Sequence, residues 1–132
     1  MKKHNLIFLI LLLVYLGLVA WLCFGHFEGL PKVQKDLFGI PIDKVVHFLM
    51  FLPFPFLSFK AFDFLTKKSW QAILALLVIF VIGCGIAAAT EIGQSHTAYR
   101  SGDPNDFLAD ILALGIATVV TFAISLACSR KR

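Results

Sequence analysis

Four stretches of this chain, at about 5–24, 45–62, 70–95 and 104–127, are apolar over at least most of the roughly 20 residues that a helix needs to cross a bilayer. That feature leaves few choices. The chain is 59% hydrophobic and only 15% charged over 132 residues, whereas a soluble domain averages about 45–50% apolar and about 25% charged. A domain this short leaves much of its surface outside any core, so the excess apolar surface needs lipid as its solvent. The expected architecture is therefore all-α: a polytopic membrane protein with a four-transmembrane-helix bundle. The joining stretches are short, so the whole chain, 1–132, reads as one membrane domain.

The first apolar run follows Met1-Lys2-Lys3-His4, which resembles the basic start of a signal peptide. The run is long, no small-x-small cleavage pattern follows it, and Leu22 before Cys23 is too bulky for a lipoprotein site. It is expected to stay as a helix. Cys23, Cys84 and Cys128 have no CxxC spacing and are odd in number, so they read as packing residues rather than a disulfide or zinc framework. The basic residues carry no interleaved aromatics of the kind that mark nucleic-acid binding. They set orientation instead. With the N-terminus inside, Lys2, Lys3, Lys60, Lys67, Lys68, Arg130, Lys131 and Arg132 lie on the cytoplasmic side, against Lys32, Lys35, Lys44 and Arg100 outside. Both termini are thus expected in the cytoplasm, with Trp21 and Trp70 near opposite interfaces. The acids run the other way. Only Asp63 falls inside, while Glu28, Asp36, Asp43, Glu91, Asp103, Asp106 and Asp110 fall at or beyond the outer ends. Acids are weak topology signals, so this bias points to a site.

Its members can be read from spacing. Asp43 and His47 are i,i+4 and would share a helical face, which makes Asp43 the local partner for the histidine. Pro41 suits a helix start, and Asp43 suits the positive end of the helix dipole. Pro53 and Pro55 each remove a backbone donor in mid-span and should kink or break the second helix. Gly85, Ala89 and Gly93 recur every four residues, a spacing that admits a close neighbouring helix. Glu91 and Gln94 follow on one face, and an acid there is expensive against lipid. Asp103, Pro104 and Asp106 spell a helix start, with Asp103 as cap and Pro104 at the first helical position. Asp110 lies one turn deeper, beyond the reach of capping, and Lys44, Arg100 or a proton are the partners that spacing offers. Arg100 sits in the hairpin between the last two helices. It suits either anion binding or a locking ion pair.

The ordered set Asp43-Lys44-x-x-His47-x-x-x-Phe51, Glu91-x-x-Gln94 and Arg100-x-x-Asp103-x-x-Asp106 resembles the VanZ-like family of small bacterial membrane proteins. The resemblance covers roughly residues 42–114. It implies a helical membrane domain of the cell envelope, and the family's namesake is linked with low-level resistance to the glycopeptide teicoplanin. The family pattern usually has Asn where this chain has Asp110, which leaves a role for an uncharged amide in question.

Three functional readings follow. In the first, His47, Glu91, Gln94, Arg100 and Asp106 converge from three helices into an outer-facing pocket, with Asp43, Lys44, Asp103 and Asp110 around it. That pocket would recognise a lipid-linked or cell-wall-related ligand without catalysis. In the second, His47 works with Glu91 or Asp106 as the acid–base pair of a membrane hydrolase or transferase, although no serine or cysteine stands in a triad pattern. In the third, the charges only tie helix ends together. No cofactor is expected. A metal through His47, His96 and carboxylates lacks any HExxH-type spacing, and no metal is expected either. Membrane lipids are the expected partners of such a chain, in the cytoplasmic membrane of a bacterium as the resemblance implies, and no nucleic acid is expected.

Overall fold

The computed structural model describes residues 2–25, 36–98 and 102–129. Helix α1 covers Lys3–Phe24, α4 Ser69–Ser95 and α5 Pro104–Ser129. Between α1 and α4 lie a two-residue strand pair, β1 at Asp36–Leu37 and β2 at Ile40–Pro41, then α2 at Ile42–Phe51 and α3 at Phe54–Phe62, closed by a 3-10 turn at Asp63–Leu65. Four stretches, Lys3–Phe24, Ile42–Leu65, Ser69–Ser95 and Pro104–Cys128, are long and apolar enough to cross a membrane. The chain is an all-α, multi-pass membrane protein. Leu13, Val14, Val81 and Val119 are 60–69% exposed on these helices. Side chains so apolar on the outside of a helix belong against lipid tails.

The second span is two helices. Leu52 still donates to the Phe48 carbonyl at 3.2 Å, and the helical bonding resumes with Leu57 donating to the Pro53 carbonyl at 3.0 Å. Pro53 and Pro55 have no N–H to offer between these points, which is the break the sequence predicts. In lipid a carbonyl at such a break needs a nearby donor. Tyr15 of α1 supplies one, its hydroxyl donating to the Met50 carbonyl at 2.5 Å. The two halves then follow different neighbours: α2 packs on α5, while α3 packs on α1 and also touches α4 and α5.

The span starts earlier than residue 45 because a tight hairpin delivers the chain straight into α2. Phe38 and Gly39 have φ of 53° and 80°. Two successive positive values are the signature of the two-residue turn whose twist suits paired strands. Pro41 caps α2 as expected, with Asp43 in its first turn.

α4 packs on α5 along a face that differs from the expected glycine stripe. Its buried residues are Ala72, Leu76, Ile79, Gly83, Ala87, Thr90 and Gln94. A Cβ on Gly83 would lie 2.7 Å from Leu114 Cδ2 and 3.1 Å from the Phe54 ring, so Gly83 is where α3 and α5 approach α4. Gly85 has open space around it, and Ala89 is exposed. Gly93 does meet a neighbour, the Phe24 ring of α1. The four-residue repeat thus drifts off the contact face, because the contact runs through 83, 87, 90 and 94. The core joins Leu12, Val19, Cys23, Phe51, Phe54, Leu76 and Leu114 across all four spans. Among the cysteines only Cys23 packs fully. Cys84 is half-buried and Cys128 exposed, and no disulfide links them.

Candidate functional site

The C-terminal end of α4 and the N-terminal ends of α2 and α5 meet at one end of the bundle, and there the charged side chains gather. α5 starts as its sequence dictates. Asp103 Oδ1 accepts from the Asn105 amide at 2.9 Å, and the Asp106 amide donates to the Asp103 carbonyl at 2.9 Å, so two free amides of the first turn are satisfied. Asp103 Oδ2 accepts from Lys44 Nζ of α2 at 2.8 Å. The same ammonium donates to Asp106 Oδ1 at 3.1 Å. Hydrogen bonding to Lys44 and to the Asn105 amide holds the Asp103 carboxyl below its ordinary range.

One turn further down α5, Asp110 is fully buried. His47 Nδ1 lies 3.2 Å from its Oδ1 and 3.4 Å from its Oδ2. Among the described residues the hydrogen-bonding partner of Asp110 is therefore His47, which spacing did not offer, and not Lys44, which turns to Asp103 and Asp106. The same contact corrects the reading of Asp43 as the partner of His47. Asp43 is exposed and only 3.9 Å from Lys44 Nζ, because the face of α2 that carries His47 turns inward onto α5. The other ring nitrogen, Nε2, is 3.8 Å from Asp106 Oδ2, beyond hydrogen-bonding reach.

α4 contributes Glu91. Its Oε1 accepts the Asp103 backbone amide, which pins the end of α4 to the start of α5. Gly102 permits this closeness, since a Cβ there would sit 3.0 Å from Glu91 Oε1 and 3.1 Å from the Glu91 carbonyl. Glu91 Oε2 is buried and has no hydrogen-bond partner among the described residues. Gln94 does not join this group. Its amide donates to the Cys23 carbonyl at 3.1 Å and ties α4 to the end of α1. The three-residue offset from Glu91 turns it about 60° around the helix, enough to face another neighbour. Arg100 lies outside the described residues.

The cluster has a direction. Asp43 is exposed, Asp103 and Lys44 are half-buried, Asp106 and His47 are buried, and Asp110 is sealed. From Asp103 to Asp110 the helix advances about 10 Å at 1.5 Å per residue. Lys44 stands among Asp43, Asp103 and Asp106, a trio whose oxygens approach within 4.8 Å of one another, and supplies the positive charge they need. His47, Glu91 and Asp106 form a second trio with the same closeness. Nearby hydroxyls are spent locally: Thr90 donates to the Ala87 carbonyl and Ser95 to the Ile92 carbonyl. His96 is exposed, with Nδ1 2.7 Å from the Ile92 carbonyl oxygen, and stands apart from both trios.

Sequence reasoning missed the polar cluster at the opposite end. Asn5, fully buried in α1, donates to the Lys60 carbonyl at 2.9 Å and to Asp63 Oδ1 at 2.6 Å. His4 and Lys60 also approach Asp63, at 3.5 and 3.8 Å. A cavity of about 550 Å³ beside them is lined by Lys2, His4, Lys60, Asp63 and Lys67. The available signal was an asparagine in the first turn of an apolar helix, since a polar group that is buried there seeks a partner on a neighbouring helix. Comparison of the chain with protein-family models, with curated proteins and with solved structures found no match.

Proposed function

We propose that the chain is a VanZ-like protein of the bacterial cytoplasmic membrane, with both termini in the cytoplasm and the His47–Asp110 end facing outward. In this reading the charged end recognises the polar head of a lipid-linked or cell-wall-related ligand, with an effect on glycopeptide susceptibility. The observation that carries it is the graded series from exposed Asp43 through half-buried Asp103 and Lys44 to buried Asp106, His47 and Asp110. A mere clamp between helix ends has no need of ionisable groups about 10 Å into a span, where each costs several kcal/mol. A site that takes charged headgroups from the membrane surface does. The test expresses Arg100→Ala and Glu91→Gln in the native host and compares envelope lipid composition and teicoplanin susceptibility. A change in either, with folding intact, supports the reading. If folded variants leave both unchanged, it fails.

A second reading, a membrane hydrolase or transferase, is favoured by one contact. Asp110 fixes His47 through Nδ1 and leaves Nε2 facing Asp106, the arrangement of an oriented acid–base imidazole. With the Thr90 and Ser95 hydroxyls bonded to carbonyls, the nucleophile would be water. Turnover of a polyprenyl-diphosphate lipid by the purified chain, abolished in His47→Gln, would establish it over simple recognition.

A further inference from the structure

The trio His47, Glu91 and Asp106 brings one ligand atom from each of α2, α4 and α5 within 4.8 Å of the others. Each side chain has two donor atoms and commits one of them elsewhere. His47 gives Nδ1 to Asp110, Asp106 gives Oδ1 to Lys44, and Glu91 gives Oε1 to the Asp103 amide. The remaining atoms are Nε2 and Asp106 Oδ2, 3.8 Å apart, and Glu91 Oε2, which is buried; among the described residues neither Nε2 nor Glu91 Oε2 has a hydrogen-bond partner. A carboxylate behind the far nitrogen of a histidine is the outer-shell contact that fixes the ring tautomer and aims the lone pair at a metal. Asp110 occupies that position.

Charge points the same way. Among the described residues five carboxylates (Asp43, Glu91, Asp103, Asp106 and Asp110) gather around one lysine and one histidine. A neutral imidazole with its lone pair toward two carboxylates is repulsive, and a buried carboxylate oxygen without a partner is costly. A divalent cation relieves both at once. We propose that His47, Glu91 and Asp106 hold a divalent transition-metal ion of the zinc or manganese kind. The set has one imidazole nitrogen and two carboxylates, with a coordination position open to water or to an oxygen of a ligand. Metal–ligand distances of about 2.0–2.2 Å require the three atoms to close to about 3–3.5 Å when the ion binds. Exposed His96 plays no part. The proposal goes beyond the recognition reading and does not depend on it, since metal content is measured without any envelope phenotype.

The test uses the full chain, purified in detergent micelles without an oligohistidine tag and dialysed against Zn²⁺ or Mn²⁺. Bound metal is then counted by mass spectrometry. The expected result is one ion per chain for one of the two metals. Asp106→Asn and Glu91→Gln should weaken binding at least tenfold, and Asp110→Asn should weaken it by about 10- to 100-fold through the loss of the outer-shell carboxylate. His96→Ala should leave it unchanged. Helicity and elution volume identify folded variants, and if Glu91→Gln misfolds, the ligand-field spectrum of Co²⁺ in the wild-type chain reports the mixed nitrogen and oxygen shell directly. A wild-type chain that retains neither ion and shows no Co²⁺ spectrum overturns the proposal, because the trio is then held by a proton on His47. Binding that survives both carboxylate substitutions, or that vanishes in His96→Ala, overturns it equally.

Discussion

Replacing His47 with leucine removes the side chain that hydrogen-bonds Asp110, and it does so where Asp110 is fully buried. At about 3.3 Å and an effective dielectric of about 20, the direct interaction between unit charges is about 5 kcal/mol. Breaking a buried pair by deleting one partner typically costs about 3–5 kcal/mol, because the survivor is left without compensation. The His47→Leu variant is therefore expected to lose about 3–5 kcal/mol of stability. Removing the charge as well should undo most of that loss, since buried pairs replaced by apolar residues are often near neutral. The double variant His47→Leu with Asp110→Leu should recover to within about 1–2 kcal/mol of the parent. Asp110→Asn alone keeps a hydrogen-bond acceptor for His47 and should cost about 1–2 kcal/mol. The assay is reversible unfolding by SDS titration in mixed micelles, followed by helicity, with a chelator present so that metal binding does not contribute. Strictly additive losses in the double variant, or a loss below about 1 kcal/mol for His47→Leu, would refute the pairing.

Gly83→Ala should cost about 1–3 kcal/mol in the same assay, because its new methyl meets Leu114 at 2.7 Å and the Phe54 ring at 3.1 Å. Gly85→Ala, in open space on the same helix, should be neutral or slightly stabilising. Asn5→Leu strips two donations, to the Lys60 carbonyl and Asp63, and should cost about 1–3 kcal/mol while leaving metal content untouched. Asp103 carries a pH dependence: its carboxyl is depressed from an ordinary value of 3.8, chiefly by Lys44, so its contribution is complete above that value and fades as pH falls through the lower folded one. Thermal melts of the parent and Asp103→Asn should differ at pH 6 and converge toward pH 3, whereas a difference that grows on acidification would contradict the ion pair.

The four spans were legible because long apolar runs have no other stable use, and the break at Pro53 and Pro55 because a missing N–H is a local fact. The start of α5 was legible for the same reason: Asp103 and Pro104 act on amides within a few residues. What spacing could not give was which helices meet. The i,i+4 rule paired His47 with Asp43, but the true partner lies 63 residues away, on a helix whose approach is set by packing at Gly83 and Leu114. Gln94 failed in the same way. Its sequence neighbour Glu91 faces α5, whereas it reaches across to α1. Asn5 was hidden by its surroundings, since one amide between Lys2-Lys3-His4 and an apolar run reads as part of the polar helix end until Lys60 and Asp63 are placed beside it.

The order in which the ribosome delivers these groups adds a consequence. Lys44 and His47 belong to the least apolar of the four spans, and their partners Asp103, Asp106 and Asp110 are made about 60 residues later. At about 5–20 residues per second, that is an interval of roughly 3–12 s. During it α2 carries an ammonium with only exposed Asp43 near it among the described residues and an imidazole without its Asp110 partner, which lipid does not accept cheaply. The α2 half of the second span is therefore expected to complete its insertion only when α5 arrives, and the proline break lets α3 settle against α1 in the meantime. Assembly of this bundle is thus gated by its last helix, and a chain truncated before Pro104 should leave α2 accessible to water-borne labelling while α3 is already protected.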